Sequence, residues 1–121
     1  MICILHRIKF FFQKFPKIKK PVIACISGYA TEFGFLLAIM CDIRIAEINS
    51  VIGIGDKRDN LPFPEFLSQR LALDVGLSQA LDLILSCRPI SGAQACAMGF
   101  VVKSTDIGTG IVLLIYFIPF F

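Results

Sequence analysis

Histidine is almost absent from this sequence of 121 residues, which has one His, five Cys and no Trp. No two cysteines have the C-x-x-C spacing of a zinc site, and a single histidine, His6, cannot complete a ligand set, so we expect no metal. The odd cysteine count, in scattered apolar surroundings, argues against a disulfide framework. It indicates reduced, buried thiols in an intracellular compartment.

Charge is also scarce, since charged residues make up 17% of the chain and the net charge is +3. The basic residues gather in the N-terminal third, where a solvated helix face is a more common meaning than a phosphate-binding patch. Because the sequence has no zinc finger and no basic repeat interleaved with aromatic residues, we do not expect nucleic acid as a partner.

Long apolar runs are missing as well. The C-terminal run, residues 111–121, contains Pro119 and is only half as long as the roughly twenty residues that a membrane-spanning helix needs. We therefore expect no membrane association, although a membrane-associated protein held by this segment stays a weaker alternative. The N-terminal apolar stretch is interrupted by charged residues and is followed by no small-residue cleavage site, so it does not resemble a secretory signal.

Apolar residues make up 56% of the chain, whose length suits one compact domain. Their spacing and the turn signals between them predict an order of elements that is typical of an α/β layered domain. Ser78 and Ser91 are the expected helix N-caps, and Gly99 the expected C-terminal cap. The predicted elements are a helix over 5–15, a strand over 21–27, a helix over 34–41, strands over 42–46 and 51–54, a polar loop over 55–62, helices over 64–76 and 77–87, a short helix from 91 to 99 and a strand over 100–102.

Four stretches occur in one order along the chain: KKPVIACISGYA, CDIRIA, QRL and RPISGAQACAMGFV. Over about residues 20–102 they resemble the enoyl-CoA hydratase/isomerase (crotonase) superfamily. The resemblance implies an α/β fold, a partial crotonase-like ββα spiral, that usually assembles into trimers. It divides the chain into an N-terminal helix at 1–19, a core at 20–103 and a divergent apolar tail at 104–121. The residues expected inside the core are Ile23, Ile26, Leu37, Ile43 and Ile45.

The resemblance also implies a coenzyme A thioester as the substrate and no separate cofactor. In this family two backbone N–H groups hold the thioester oxygen while it becomes an enolate-like oxyanion. One of them comes from a Gly-Gly-Gly turn, whose positions here are Glu32, Phe33 and Gly34. We therefore expect Phe33 and Gly34 to supply the oxyanion N–H, and Tyr29 and Ala30 to bind substrate. The bulk of Phe33 and the charge of Glu32 are expected to hinder this site.

Hydratases of this family use two carboxylates, one that activates water and one that protonates the α-carbon. The first position is Leu36 here, which cannot transfer a proton, and the second is Asp56. A glycine-rich stretch near the acyl pocket is replaced by residues 66–68, and the upstream segment that supplies the second oxyanion N–H has no counterpart. The expected catalytic residue is therefore Asp56 alone.

These features predict a truncated family member that binds acyl-CoA thioesters, with the chemistry of fatty acid β-oxidation impaired or lost. One alternative is a residual enoyl-CoA double-bond isomerase, which would use Asp56 as its single acid and base. Another is a non-catalytic subunit, which would dock on intact family members through its apolar surface. We expect a homo- or hetero-oligomer in the mitochondrion or the cytoplasm.

Overall fold

A computed structural model describes residues 20–55 and 65–108 of the chain. In these two ranges the chain forms six strands and four helices. They are β1 (Ile23–Ile26), β2 (Tyr29–Thr31), α1 (Phe33–Met40), β3 (Ile43–Glu47), β4 (Val51–Gly53), α2 (Glu65–Val75), α3 (Leu77–Ser86), β5 (Ile90–Ser91), α4 (Gly92–Ala97) and β6 (Lys103–Thr105). The helix predicted over 5–15, most of the loop predicted over 55–62 and the apolar run at 111–121 lie outside the described residues.

The strands form two three-stranded sheets, which we call sheet I and sheet II. Sheet I has the order β1-β3-β6, and both of its strand pairs are parallel. Sheet II has the order β2-β4-β5, in which β2 and β4 are parallel while β4 and β5 are antiparallel. From β1 to β4 the chain alternates between the two sheets, because each strand of sheet I is followed by one of sheet II.

Helix α1 lies inside the fold, and its sequence FGFLLAIM is apolar on every side, as is typical of a buried helix. The ring of Phe35 packs on that of Phe100, with the ring centroids 5.3 Å apart. This helix joins the apolar sides of the strands and of the other three helices in one core. The buried members of that core are Ile26, Ala30, Phe35, Leu36, Ala38, Ile39, Ala46, Ile52, Leu67, Leu71, Ala80, Leu83, Ile90, Ala95, Phe100 and Val101.

The predicted core residues fall into two groups. Ile26 and Ile45 are buried, as predicted. Ile23, Leu37 and Ile43 are only half-buried, so the prediction that they lie inside the core is wrong for these three residues. Ile23 and Ile43 are register partners at the start of β1 and β3, where sheet I is less covered than at its centre.

Arg44, in the segment CDIRIA, is a buried cation that fastens β3 to the end of α1. Its guanidinium donates to the carbonyl oxygens of Cys41 (2.8 Å) and Phe100 (2.7 Å) and to Oδ2 of Asp74 (2.8 Å). It also lies over the Phe100 ring, 4.9 Å from the ring centroid. Burial lowers the pKa of Arg44, and the charge of Asp74 opposes that shift. The segment thus holds the fold together through charge-assisted hydrogen bonds.

Glu47 is a second buried charge, at the C-terminal end of β3. Its Oε2 accepts a hydrogen bond from Ser27 Oγ (2.8 Å), and its Oε1 accepts one from the Gly108 N–H (2.8 Å). The carboxylate therefore joins β1, β3 and the segment that follows β6. Strand β6 itself runs across the boundary that the sequence places after residue 103, and the division into three segments stays a prediction.

One predicted helix cap and one predicted strand are wrong. Helix α3 begins at Leu77 and its N-cap is Gly76, with φ 87°, so Ser78 lies inside the helix instead of capping it. The strand predicted over 100–102 lies instead at Lys103–Thr105. The reason is that residues 100 and 101 turn into the core after α4, where their side chains are 1% and 2% exposed.

The ends of α4 are as the sequence predicts. The Ser91 hydroxyl accepts a hydrogen bond from the Gln94 N–H (3.1 Å), and the Gln94 side chain accepts one from the Ser91 N–H (2.9 Å). This reciprocal pair is a capping box. Gly99 follows the C-cap residue Met98 with φ 88°, and its N–H donates to the Cys96 carbonyl oxygen (3.1 Å). Glycine suits this position because left-handed backbone is easily adopted without a Cβ.

Candidate active site

The turn between β2 and α1 is where the sequence places the oxyanion N–H groups. Because β2 and β4 are parallel neighbours, both strands end at the same edge of sheet II. The Glu32 N–H donates to the Gly53 carbonyl oxygen (3.2 Å), and the Leu36 N–H donates to the Glu32 carbonyl oxygen (3.1 Å). These two bonds fix the direction in which α1 leaves the sheet. The carboxyl edge of parallel strands beside a helix start is a common place for ligands to bind.

Glu32 has an unusual backbone conformation, with φ 53° and ψ −117°. Glycine adopts this combination readily, and a residue with a Cβ rarely does. Among the described residues other than glycine, Cys87 also has a positive φ, but it ends α3 in the ordinary left-handed conformation (φ 53°, ψ 18°). The turn therefore has the backbone of a glycine turn, with a glutamate in it.

The side chain of Glu32 runs toward the end of β4. A Cβ placed on Gly55 would lie 2.5 Å from Cγ and 3.4 Å from Oε1 of Glu32, so a larger residue there would require the exposed Glu32 side chain to move. Gly55 also has φ +94°, which a Cβ would strain. The Glu32 carboxylate makes no capping hydrogen bond to α1. It lies at the edge of sheet II, beside the residue that precedes Asp56.

The predicted substrate-binding residues have very different surroundings. Tyr29 is 81% exposed, whereas Ala30 is buried in the core. Phe33 and Gly34 both lie in the first turn of α1, and the Phe33 side chain is 37% exposed. Asp56 lies outside the described residues. The roles assigned to these five residues from the sequence stay predictions.

Leu36, the position to which the sequence resemblance assigns the water-activating carboxylate of hydratases, is a packing residue. Its side chain is buried, at 8% exposure, and belongs to the core cluster. Since leucine has no group that exchanges protons, this position contributes apolar contact to the fold and no acid or base.

Two cysteines with shifted pKa lie away from the turn. Burial raises the pKa of Cys41, which Arg44 opposes, and the thiol donates to the Leu37 carbonyl oxygen (3.3 Å). Burial also raises the pKa of Cys25, and the nearby charge of Glu47 adds to this effect. A raised pKa favours the protonated thiol, which is the less reactive form, at neutral pH.

Two further features concern the part of the chain that the structure describes. No group of three His, Cys, Asp or Glu side chains there is arranged to hold a metal ion. None of its helices combines the length and the apolar character needed to cross a membrane.

Gly55 is the residue of this corner that sequence reasoning left out. A glycine two residues after the end of β4 and directly before a candidate carboxylate is the signal that could have found it, because such glycines often allow another group to approach the backbone. The direction of the Glu32 side chain had no comparable signal, since it depends on how β2 and β4 pair.

Known proteins with similar sequences and structures were found for most of the chain. The family model "Enoyl-CoA hydratase/isomerase" matches residues 6–106. The Bos taurus protein named enoyl-CoA hydratase domain-containing protein 2, mitochondrial, is 33% identical over 97 residues, which are 80% of this chain and 33% of that protein. The short-chain-enoyl-CoA hydratase of Clostridium acetobutylicum is 34% identical over 95 residues, which are 78% of this chain and 36% of that protein. A Thermobifida fusca structure described as an enoyl-CoA hydratase in complex with CoA has a TM-score of 0.74 at 26% identity, covering 80% of this chain and 38% of that chain.

The fold is the partial crotonase-like α/β spiral that the sequence predicts. Its features are two three-stranded sheets, between which the chain alternates from β1 to β4, and a helix that leaves sheet II at a glycine-type turn. The chain belongs to the enoyl-CoA hydratase/isomerase family. It spans about a third of the length of the two curated relatives described above.

Proposed function

We propose that the protein binds acyl-CoA thioesters and does not add water to them. The observation that carries this proposal is the β2–α1 turn, which keeps a glycine-type backbone at Glu32 while Leu36 is a buried packing residue. A helix start held in this way can direct backbone N–H groups at a carbonyl oxygen that gains negative charge. Without a carboxylate at position 36, no group there takes a proton from water.

Gly34 supports the presence of a ligand at this turn. A Cβ placed on it would have Ala30 Cβ as its nearest neighbour, at 3.9 Å, which is an ordinary van der Waals distance. The fold itself therefore has room for a larger residue at this position of the helix, where alanine would be the better helix former. A glycine is useful here if another molecule approaches the backbone closely, as the proposed thioester would.

Binding and hydration are tested with crotonyl-CoA and the full chain. We expect isothermal titration calorimetry to detect binding, and the absorbance of the conjugated thioester to fall no faster than in buffer. Gly34→Val, which adds a branched side chain in the first turn of α1, is expected to weaken binding by about tenfold or more. Ser78→Ala, on the exposed side of α3, is the control. Absence of binding, or hydration well above the buffer rate, would contradict the proposal.

A residual double-bond isomerase is a second candidate, favoured by the carboxylate of Asp56, which directly follows Gly55 in the sequence. Moving a double bond needs one group that takes a proton and returns it, whereas hydration needs two. The sequence assigns that group to Asp56, and the reaction would belong to fatty acid β-oxidation. Isomerisation of a 3-enoyl-CoA by the wild type and by Asp56→Asn tests this assignment, because equal rates would exclude Asp56 as the acid and base.

Assembly with other copies or with longer family members is the third candidate. Large apolar side chains are exposed on α2 and α3, with Leu73 85%, Leu77 66% and Leu85 63% exposed. Leu77, Leu81 and Leu85 form one stripe of α3, because residues four apart share a helix face. The expected result is an oligomer in light scattering that Leu81→Glu weakens. A wild type that stays monomeric at high concentration would count against this role.

A mitochondrial or cytoplasmic location is part of the proposal. It is supported by the mitochondrial label of the Bos taurus relative and by the bacterial origin of the Clostridium relative. Fractionation of cells that express the tagged chain would test it, and recovery of the chain in the secreted fraction would count against it.

A further inference from the structure

We propose that the carboxyl edge of sheet I binds a monovalent metal cation, such as potassium or sodium, through Glu47, Thr105 and Ser27. This inference does not depend on the proposed binding of a thioester, because none of the three residues belongs to the β2–α1 turn. The site also differs from the His and Cys ligand sets that the sequence excludes, because its ligand atoms are carboxylate and hydroxyl oxygens.

The register of sheet I brings these three side chains together. Glu47 and Thr105 are register partners on the parallel strands β3 and β6. Register partners of parallel strands have their side chains on the same face, and the strands are about 4.8 Å apart, so these two side chains lie next to each other. Ser27, directly after β1, reaches the same place, since its Oγ donates to Glu47 Oε2 (2.8 Å). Each of the three strands of sheet I thus supplies one polar side chain at its carboxyl end.

Glu47 is a buried carboxylate that lacks a counter-charge. The residue is 6% exposed, and no ion pair in the described ranges includes it. Its two hydrogen bonds come from neutral donors, the Ser27 hydroxyl and the Gly108 N–H. Lys103, two residues before Thr105 on β6, is exposed and forms no ion pair with it. Because buried charges in proteins are usually paired or coordinate a metal ion, the carboxylate points to a cation.

Thr105 provides a second observation that is independent of the charge. The residue is also 6% exposed, yet its hydroxyl has no hydrogen-bond partner within the described residues. The backbone of Thr105 is paired, since its carbonyl oxygen accepts a hydrogen bond from the Ile48 N–H (2.9 Å). Only the side-chain oxygen is left unmatched, and a buried hydroxyl without a partner destabilises the fold. A ligand beside Glu47 would supply that partner.

The chemistry of these groups suits a hard cation of single charge. After its two hydrogen bonds the Glu47 carboxylate keeps one lone pair on each oxygen, and the two hydroxyl oxygens accept as well. Oxygen ligands of this kind favour hard metal ions over soft ones. One carboxylate is neutralised by a monovalent ion, whereas a divalent ion would leave a net positive charge in a buried place. The ion can enter from solvent on the side of Ser27, which is exposed.

A cation held here would link the ends of β1, β3 and β6. An ion that binds the folded chain and not the unfolded chain raises stability as its concentration rises. The proposal therefore predicts that the stability of the protein depends on which monovalent cation is present, and not only on the ionic strength.

Thermal unfolding of the full chain tests this prediction. Melting is followed by circular dichroism in KCl, NaCl and choline chloride, all at an ionic strength of about 0.2 M, so that the screening of surface charges is constant. We expect the melting temperature to be at least about 4 °C higher in KCl or NaCl than in choline chloride. Replacing choline chloride stepwise by the salt that gives the larger rise should produce a rise that saturates, as binding to one site does.

Three variants locate the ion. Glu47→Gln, which removes the charge, should reduce the difference between the salts to less than about 1 °C. Thr105→Val, which keeps the shape of the side chain and removes the hydroxyl, should reduce it by about half. Asp82→Asn, the same change of carboxylate to amide on α3, is the control and should keep the full difference. Each variant is compared with itself in two salts, so a lower basal stability does not affect the result.

Equal melting temperatures of the wild type in the three salts would overturn the proposal. A difference that Glu47→Gln retains in full would place the ion elsewhere and overturn the assignment to sheet I. A larger rise in about 5 mM CaCl₂ that Glu47→Gln removes would overturn the preference for a single charge. If Glu47→Gln does not fold, Thr105→Val decides, and an undiminished difference in that variant would overturn the site.

Discussion

Replacing Glu32 by glycine is expected to make the protein more stable. The Glu32 backbone, at φ 53° and ψ −117°, carries about 2 kcal/mol of strain, the middle of the usual range for such conformations. Glycine relieves that strain but gives the unfolded chain more freedom, which offsets about 0.5–1 kcal/mol of it. The side chain is exposed, so the loss of its contact with Gly55 changes the free energy of unfolding little. The net gain is about 1 kcal/mol.

Urea unfolding followed by circular dichroism measures this gain. With a slope of about 2 kcal/mol per molar urea, the midpoint should rise by about 0.5 M, and the melting temperature by about 4 °C. Glu32→Ala is the matched variant, since it removes the same carboxylate and keeps a Cβ. We expect its stability to stay within about 0.5 kcal/mol of the wild type.

Two outcomes would refute the reasoning. If Glu32→Gly lowers the midpoint, the turn does not hold the conformation described. If Glu32→Ala stabilises as much as glycine does, the gain comes from removing the charge and not from the backbone.

Gly34→Ala is expected to stabilise the chain by about 0.5 kcal/mol in urea unfolding, because alanine favours helix. The same change is expected to weaken crotonyl-CoA binding in calorimetry, and an unchanged affinity would argue against a ligand at this turn. Arg44→Met should lower stability by about 3 kcal/mol, since it leaves Asp74 and the Phe100 carbonyl oxygen without the Arg44 donor. A loss below about 1 kcal/mol would contradict the role given to this network. Burial raises the pKa of Cys41 above its ordinary value of 9.0, so the unfolded chain loses the thiol proton first, and stability should fall as the pH rises past about 9. Cys41→Ala should make that fall shallower between about pH 8 and pH 10 in urea unfolding, and an unchanged slope would show that the thiol does not cause it.

The longer elements of the fold could be predicted from the sequence because the residues that indicate each element all lie within that element. The apolar run of α1 indicates a buried helix without reference to any neighbour, and Ser91 with Gln94 forms a capping box within four residues. The segment IACI, bounded by Pro21 and Gly28, is typical of a parallel strand with apolar residues on both faces.

The short strands β2 and β5 could not be predicted in this way. They have three and two residues, which is too few to show the alternation of a strand. Their existence depends on β4, which pairs with both of them in sheet II. The N-cap of α3 was assigned wrongly for a different reason, because Gly76 ends the link between α2 and α3 through its backbone angle and not through a side-chain cap.

The candidate site could be located from the sequence, but its geometry could not be predicted. The sequence places Tyr29, Ala30, Phe33 and Gly34 around one turn, and in the structure they lie along the corner between β2 and α1. It describes Glu32 as an obstructing charge. The direction of that side chain is set by hydrogen bonding between the backbones of Glu32 and Gly53 and by the lack of a Cβ on Gly55. Neither follows from composition or spacing, because both arise from contacts between segments that are distant in the chain.

Strands that alternate between two sheets have a consequence for how the molecule opens. Strand β3 is joined directly in the chain to an element on each side that belongs to the other sheet or packs on it, so we expect separation of β3 from β1 to disturb both sheets. Amide protons of both sheets should therefore exchange with solvent at one common free energy of opening, as a single cooperative unit. Two distinct sets of protection factors, one for each sheet, would mean that the layers open independently.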